Sequence, residues 1–115
     1  MIPIGLKGPG GWIHTQAYVD SGACISIFSI HEAAGLGLAL GKGKLILVTI
    51  GDGGAIPVYV HHLMIQLGPA RFQMTAGFSA RLGVGFNLLG RQDVFNHFDA
   101  TFSDSTRRIT FRQVR

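Results

Sequence analysis

Glycine is spaced along the whole chain and breaks it into short apolar stretches. There are 17 glycines among 115 residues, about twice the usual share of roughly 7%. Glycines at such intervals are typical of tight turns between short strands. The longest apolar stretches, such as Leu45–Ile50, are far shorter than the ~20 residues that a membrane helix needs. The pattern therefore predicts an all-β barrel or sandwich, with no membrane segment in this chain.

Charged residues are scarce, at 14% of the chain against roughly 25% in average domains. So few charges indicate that part of the surface is covered, either by self-association or by a ligand in an apolar groove. The net charge is +4, and arginines are frequent near the C-terminus. However, charged and apolar residues alternate in Arg108–Arg112, as on a strand with one solvated face. Nucleic-acid binding is therefore not expected.

Alternating and β-branched residues between the turns predict most of the strands. The predicted strands are Ile2–Lys7, Trp12–Val19, Ile25–Phe28, Lys44–Ile50, Ile56–Leu67, Arg71–Phe78, Ala100–Phe102 and Arg108–Val114.

Two short helices are predicted between these strands. The first is Ser29–Ala34, where Ser29 and Glu32 have the spacing of a capping box and Gly35 is expected to end the helix. The second is Arg91–Phe98.

A single cysteine, Cys24, excludes an intrachain disulfide. The first five residues lack the charged start and long apolar run of a signal peptide. Both features favour the cytoplasm, although the chain is also compatible with a domain of a larger protein. His61 and His62 have no second group of ligands at a suitable spacing, so neither a metal nor another cofactor is predicted.

Asp20 stands immediately after the apolar run Ala17–Val19. A carboxylate at the end of a buried strand is costly unless neighbouring groups satisfy it. Ser21 supplies a hydroxyl, and Gly22 permits a tight turn with accessible backbone N–H groups. Taken alone, these residues also fit an aspartate that caps its own turn.

A second element, Leu88-Leu89-Gly90-Arg91, stands nearer the C-terminus. Together with Asp20-Ser21-Gly22-Ala23, it resembles the two motifs of the retropepsin-like aspartic proteases, and is closer to bacterial or cellular members than to viral ones. A glycine-tipped hairpin at Gly51–Gly54 stands where that family has its flap. The resemblance covers nearly the whole chain. It implies one retropepsin-like domain, residues 1–115, folded as a closed β-barrel or sandwich with one or two short helices.

The resemblance also implies an aspartic endopeptidase that is active as a homodimer. Asp20 is then the catalytic residue, and the second carboxylate comes from Asp20 of the partner subunit because each chain has one such motif. Two carboxylates at close range share a proton. One acts as a general base on water, and the other polarises the scissile carbonyl of a peptide or protein substrate.

The other site residues follow from the same resemblance. Three residues would support the active site: Ser21, Gly22 and Ala23. Substrate would be bound by Ile50, Gly51, Asp52, Gly53, Gly54, Phe86 and Leu88. Leu89, Gly90 and Arg91 would have a structural role.

Cys24 departs from the viral pattern, since many viral enzymes have an aspartate there that binds the arginine after the glycine. Arg91 therefore needs another partner, which we expect to be Asp93 or a backbone carbonyl. Cys24 itself is expected to be a small buried residue.

Two other functions are compatible with the sequence. One is a catalytically silent module of the same fold that dimerises or binds peptides, and the other is a β-barrel nucleic-acid binder. The intact Asp20-Ser21-Gly22 favours catalysis. In retropepsins the terminal strands of both subunits interleave, so Ile2–Ile4 and Ile109–Val114 are expected at the dimer interface.

Overall fold

The computed structural model describes residues 1–20, 23–49, 54–82, 87–94, 98–103 and 108–113. Within them the chain is mostly strand, with one short α-helix. The strands are β1 (Ile2–Gly8), β2 (Gly11–Val19), β3 (Ser26–Ser29), β4 (Lys44–Thr49), β5 (Ala55–Leu67), β6 (Ala70–Ser79), β7 (Leu88–Leu89), β8 (Phe98–Ser103) and β9 (Arg108–Gln113). The helix, α1, is Ile30–Leu36, and single 3-10 turns lie at Leu40–Lys42 and Ala80–Leu82. In this part of the chain, no helix has the length and apolarity needed to cross a membrane.

Seven of the strands form one mixed sheet, in the order β1-β2-β7-β3-β6-β5-β4. The sheet closes on itself because β1 also pairs with β5, through Gly5–Lys7 and Met64–Gln66. Closure pairs the edges that an open sheet would expose. The prediction of a closed all-β fold is confirmed.

The long strand β5 continues past the closed ring. One end pairs with β1, and the other end pairs with β4 from Val60 to Ala55. The hairpin β4–β5 therefore extends from the rim of the barrel, with β4 paired on one side only among the described strands.

The inside of the barrel is filled by alternate residues of the strands. In β5, for example, Leu63, Ile65 and Leu67 are buried while their neighbours are partly or fully exposed, as the two-residue period of a strand requires. The main cluster consists of Ile4, Leu6, Ala17, Phe28, Ala33, Leu36, Leu63, Ile65, Leu67, Phe72, Met74, Ala76, Phe78, Leu89 and Val94.

The predicted first helix exists, but its predicted end is wrong. Ser29 caps the helix by accepting a hydrogen bond from His31 N–H (3.3 Å). Gly35 lies inside the helix, which ends at Gly37 in the left-handed conformation (φ 71°), where glycine carries no steric penalty. The capping box is also incomplete, because Ser29 N–H donates to the Asn87 side chain.

The second predicted helix, 91–98, lies partly outside the described residues. Its first three residues form a bend and a turn, Val94 is helical, residues 95–97 lie outside the described part of the chain, and Phe98 begins β8. β8 and β9 form an antiparallel hairpin with Phe98 opposite Gln113. The two strands predicted at the C-terminal end are therefore confirmed, with β8 beginning earlier than expected.

Candidate active site

The loop that carries Asp20 is held at both ends by the segment 89–91. At its start, Asp20 N–H donates to the Leu89 carbonyl (2.9 Å). At its end, the Ala23 carbonyl accepts from Arg91 N–H (2.9 Å). Ala23 N–H also donates to the Asp20 carbonyl (3.2 Å), which joins the two described ends of the loop. Asp20 is half-buried at the end of β2.

Gly90 allows this segment to approach the loop closely. A Cβ atom at Gly90 would lie 2.9 Å from the Ala23 carbonyl oxygen and still closer to the carbonyl group of Ile25. These are backbone atoms, which cannot rotate away as the end of a side chain can. Gly90 N–H also donates to the buried Ser26 hydroxyl oxygen (3.0 Å). A residue without a side chain is therefore required here.

The topology explains why one segment can hold both ends of the loop. β7 is parallel to β2, which precedes the loop, and antiparallel to β3, which follows it. β7 thus lies between the two strands that the loop connects. The position of Asp20 is consequently fixed by residues from a distant part of the sequence.

The same three strands present a row of apolar side chains beside Asp20. Leu88 is paired with Tyr18 on one side and with Ile27 on the other, so the three residues share a face of the sheet. Asp20 follows Tyr18 by two residues and belongs to the same face. Tyr18 is 41% exposed, which leaves an aromatic side chain accessible near the candidate catalytic group.

The hairpin β4–β5 lies against this face. Ile27 forms a second apolar cluster with inward-facing residues of the hairpin and their neighbours. Besides Ile27, the cluster contains Ile56 and Val58, with Ile25, Ile46, Val48 and Val60 partly buried against it. This cluster, separate from the barrel core, forms an apolar wall next to the Asp20 loop.

The predicted site residues divide into described and undescribed ones. Asp20, Ala23 and the segment Leu88–Arg91 come together as outlined above. Gly54 is exposed beside β5, and the flanking pair Thr49–Ala55 confirms a hairpin at this place. Outside the described residues lie Ser21, Gly22, Ile50, Gly51, Asp52, Gly53 and Phe86.

Leu88 and Leu89 have different surroundings, which agrees with the different roles predicted for them. Leu89 is fully buried in the barrel core. Leu88 is half-buried on the face that Tyr18 and Ile27 share. The substrate contact assigned to Leu88 and the structural role assigned to Leu89 stay predictions.

Two expectations about the neighbourhood of Arg91 are wrong. Cys24 is exposed rather than buried, and its sulfur lies 3.4 Å from Arg91 Nη2. Among the described residues, the side-chain contact of the Arg91 guanidinium is Cys24 rather than Asp93 or a backbone carbonyl, and Asp93 Oδ2 accepts a hydrogen bond from Thr75 N–H (2.7 Å). Asp93 has φ 68°, unusual for a residue other than glycine. Through its hydrogen bond with Thr75 N–H, Asp93 connects the turn after Gly90 to β6.

Sequence reasoning missed Tyr18, Ile27, the inner face of the β4–β5 hairpin and Asn87. Strand alternation contains a signal for Tyr18, since residues two apart share a face. The hairpin residues carry no such signal, because alternation does not tell which face of the sheet β4 covers. Asn87 stands between the apolar residues Phe86 and Leu88, and a polar residue in such surroundings is itself a signal.

The described strands therefore form a closed, mainly-β sheet in which β7 lies between β2 and β3, and Asp20 stands directly after β2. Over 87% of this chain, the fold is similar to the crystal structure of a retropepsin-like aspartic protease from Rickettsia conorii, with a TM-score of 0.60 and 18% sequence identity across 82% of that chain. No family model and no curated protein matches the sequence. The chain has a retropepsin-like all-β fold.

Proposed function

We propose that this chain is an aspartic endopeptidase that is active as a homodimer. The observation that carries the proposal is the placement of Asp20. The aspartate follows β2 where β7 lies between β2 and β3, and both ends of its loop are hydrogen-bonded to the segment 89–91. A turn aspartate that merely caps its own backbone would not require this clamp from a distant segment.

The proposed chemistry needs a second carboxylate, since the sequence supplies one such loop per chain. A two-fold axis beside the loop would bring Asp20 of the partner subunit next to the first. Like charges at that range are unfavourable, so the pair holds one proton. The ionised carboxylate then takes a proton from water as the water oxygen bonds to the scissile carbonyl carbon, and the protonated carboxyl donates its proton to the carbonyl oxygen. When the C–N bond breaks, the proton taken from water passes to the leaving amine and the carbonyl re-forms, returning its proton to the pair. We expect cleavage to be strongest at acidic pH, where the pair keeps its proton.

The proposed substrate is an extended peptide with apolar or aromatic side chains beside the cleaved bond. The face that Tyr18, Leu88 and Ile27 share with Asp20 is apolar and is partly walled by the β4–β5 hairpin. Burial of a large apolar side chain there would contribute about 1.5–3 kcal/mol. The hairpin tip, Gly51–Gly54, is proposed to close over the peptide. Ile50 and Phe86 are proposed as further contacts in the walls of the substrate pockets.

The test compares Asp20→Asn with wild type by peptide-library digestion between about pH 3 and pH 8, the range in which paired carboxyls act. We expect the variant to lose cleavage and to keep the wild-type urea midpoint and sedimentation. Asp93→Asn is the matched control, because its amide oxygen can still accept from Thr75 N–H. It should keep cleavage. Retained cleavage in Asp20→Asn would refute the assigned role.

Subunit mixing tests whether both carboxylates act together. Wild type and Asp20→Asn are mixed in equal amounts and allowed to exchange subunits. Random pairing leaves about one quarter of the dimers with two wild-type subunits. The mixture should therefore retain about one quarter of the activity expected if every dimer were wild type. Retention of one half would indicate independent sites. A stable dimer without cleavage at any pH would instead favour a catalytically silent dimerisation or peptide-binding module.

A further inference from the structure

Asn87 is a buried polar side chain with a complete set of hydrogen bonds. It is 3% exposed and lies immediately before β7. Its Oδ1 accepts from Ser29 N–H (3.0 Å). Its Nδ2 donates to the Gln16 carbonyl (2.9 Å) and to Thr15 Oγ1 (3.3 Å). An unpaired amide in this buried position would be costly, so the three hydrogen bonds constrain the backbone segments that they join.

The partners of Asn87 belong to the strand that leads to Asp20 and to the start of α1. Its side chain binds the Gln16 carbonyl, and its backbone carbonyl accepts from Tyr18 N–H (2.8 Å). The next bond along β2 joins Asp20 N–H to Leu89. β7 contains only two residues, so the Asn87 side chain adds one more rung to the short ladder that holds β2.

We infer that Asn87 is a positioning residue for Asp20, an inference that rests on the proposed function. Asn87 touches neither substrate nor reacting atoms. It fixes the register of Gln16–Asp20 against β7, and it ties that register to α1 through Ser29. A two-residue strand alone cannot hold a carboxylate to the few tenths of an ångström that catalysis requires.

The decisive variant is Asn87→Asp, which keeps the shape of the side chain and exchanges its donor group for an oxygen. When ionised, this oxygen faces the Gln16 carbonyl, and the bond is replaced by repulsion. When protonated, the introduced carboxyl donates again. Burial and the facing carbonyl raise the pKa of the introduced carboxyl above its ordinary ~3.9. The activity and the amide protection of the variant should therefore be closest to wild type at a pH below that ordinary pKa. Both should fall as the pH rises through the raised pKa.

Three quantities are measured for each variant: kcat and KM per folded molecule across pH, and hydrogen-exchange protection of the Tyr18 and Asp20 amides. For Asn87→Asp we expect kcat to fall about tenfold near neutral pH, as when a buried carbonyl loses its donor. KM should change little. Both kcat and amide protection should return to within about twofold of wild type at acid pH, as the restored donor requires.

Two control variants separate positioning from stability. Thr15→Val removes only the longer of the two hydrogen bonds that Asn87 Nδ2 donates. It should therefore change kcat by less than about twofold at every pH. Leu67→Ala opens a cavity in the barrel core at the turn end of the β5–β6 hairpin, and it removes none of the hydrogen bonds of Asn87. It should lower the urea midpoint and leave kcat per folded molecule and the shape of the pH profile unchanged.

Several results would overturn the inference. One is an Asn87→Asp chain whose Tyr18 and Asp20 amides stay as protected as in wild type across pH. Another is a kcat deficit that does not depend on pH, and a third is a chain that stays unfolded even at acid pH. If wild type cleaves nothing, the proposed function fails, but the exchange measurement still decides whether Asn87 holds the Asp20 strand.

Discussion

Substitution of Gly90 by alanine tests the packing that places Asp20. The added methyl group would meet the Ile25 carbonyl group and the Ala23 carbonyl oxygen, which is 2.9 Å away. Since these are backbone atoms, the contact can be relieved only if β7 and the segment 23–25 move apart. That movement would weaken the bonds from Gly90 N–H to the Ser26 hydroxyl and from Arg91 N–H to the Ala23 carbonyl.

The expected loss of stability combines these two effects. Overpacking a close contact costs about 1–3 kcal/mol, and each weakened hydrogen bond costs about 1 kcal/mol. The sum is about 3–5 kcal/mol, against a total of roughly 5–15 kcal/mol for a domain of this size. At a urea dependence of about 1–3 kcal/mol/M, the midpoint should fall by about 1–5 M.

The measurement compares the urea unfolding of Gly90→Ala with that of Gly41→Ala, monitored by far-UV circular dichroism. Gly41 lies in the 3-10 turn Leu40–Lys42, where no described atom comes within 4 Å of an added Cβ. Gly41→Ala should therefore be neutral or more stable by up to about 1 kcal/mol. If Gly90→Ala unfolds at the same midpoint as Gly41→Ala, β7 does not pack against the Asp20 loop as described.

Two further predictions concern the hairpin face and the C-terminal strand. A Cβ atom at Gly77 would collide with Val58 Cγ1, so Gly77→Ala should lower the free energy of unfolding by about 1–3 kcal/mol, measured in urea. Adding Val58→Ala to this variant should recover part of the loss, and strictly additive losses would contradict the contact. β9 pairs only with β8 among the described strands, so removing residues 108–115 should weaken dimerisation and cleavage together, and a truncated chain that still sediments as an active dimer would place the interface elsewhere.

Most of the strands could be predicted because their signals are local. The residues Leu63, Ile65 and Leu67 alternate with more polar ones, and the structure buries them as alternation requires. The end of α1 could not be predicted in this way. Gly35 and Gly37 are both possible stops, and the choice depends on packing, since Gly37 lies against Gly10 of the β1–β2 turn.

The partners of individual side chains were harder to predict than the strands. Ser29 was correctly assigned as the cap of α1, but its own N–H binds Asn87 and not the capping-box Glu32. Cysteine is among the residue types that are most often buried, yet Cys24 lies at the surface beside Arg91. In each case the competing partner comes from a distant part of the chain.

The sequence by itself determined that the chain forms short strands separated by glycine turns, and that Asp20 follows an apolar strand and precedes Ser21-Gly22. These features depend on neighbouring residues. Only the tertiary structure decided that β7 enters between β2 and β3, that Gly90 meets the backbone of Ala23 and Ile25, and that Tyr18 shares a face with Ile27. The physical reason is that alternation specifies which residues of a strand share a face, whereas the order of the strands follows from long-range pairing and closure of the whole sheet.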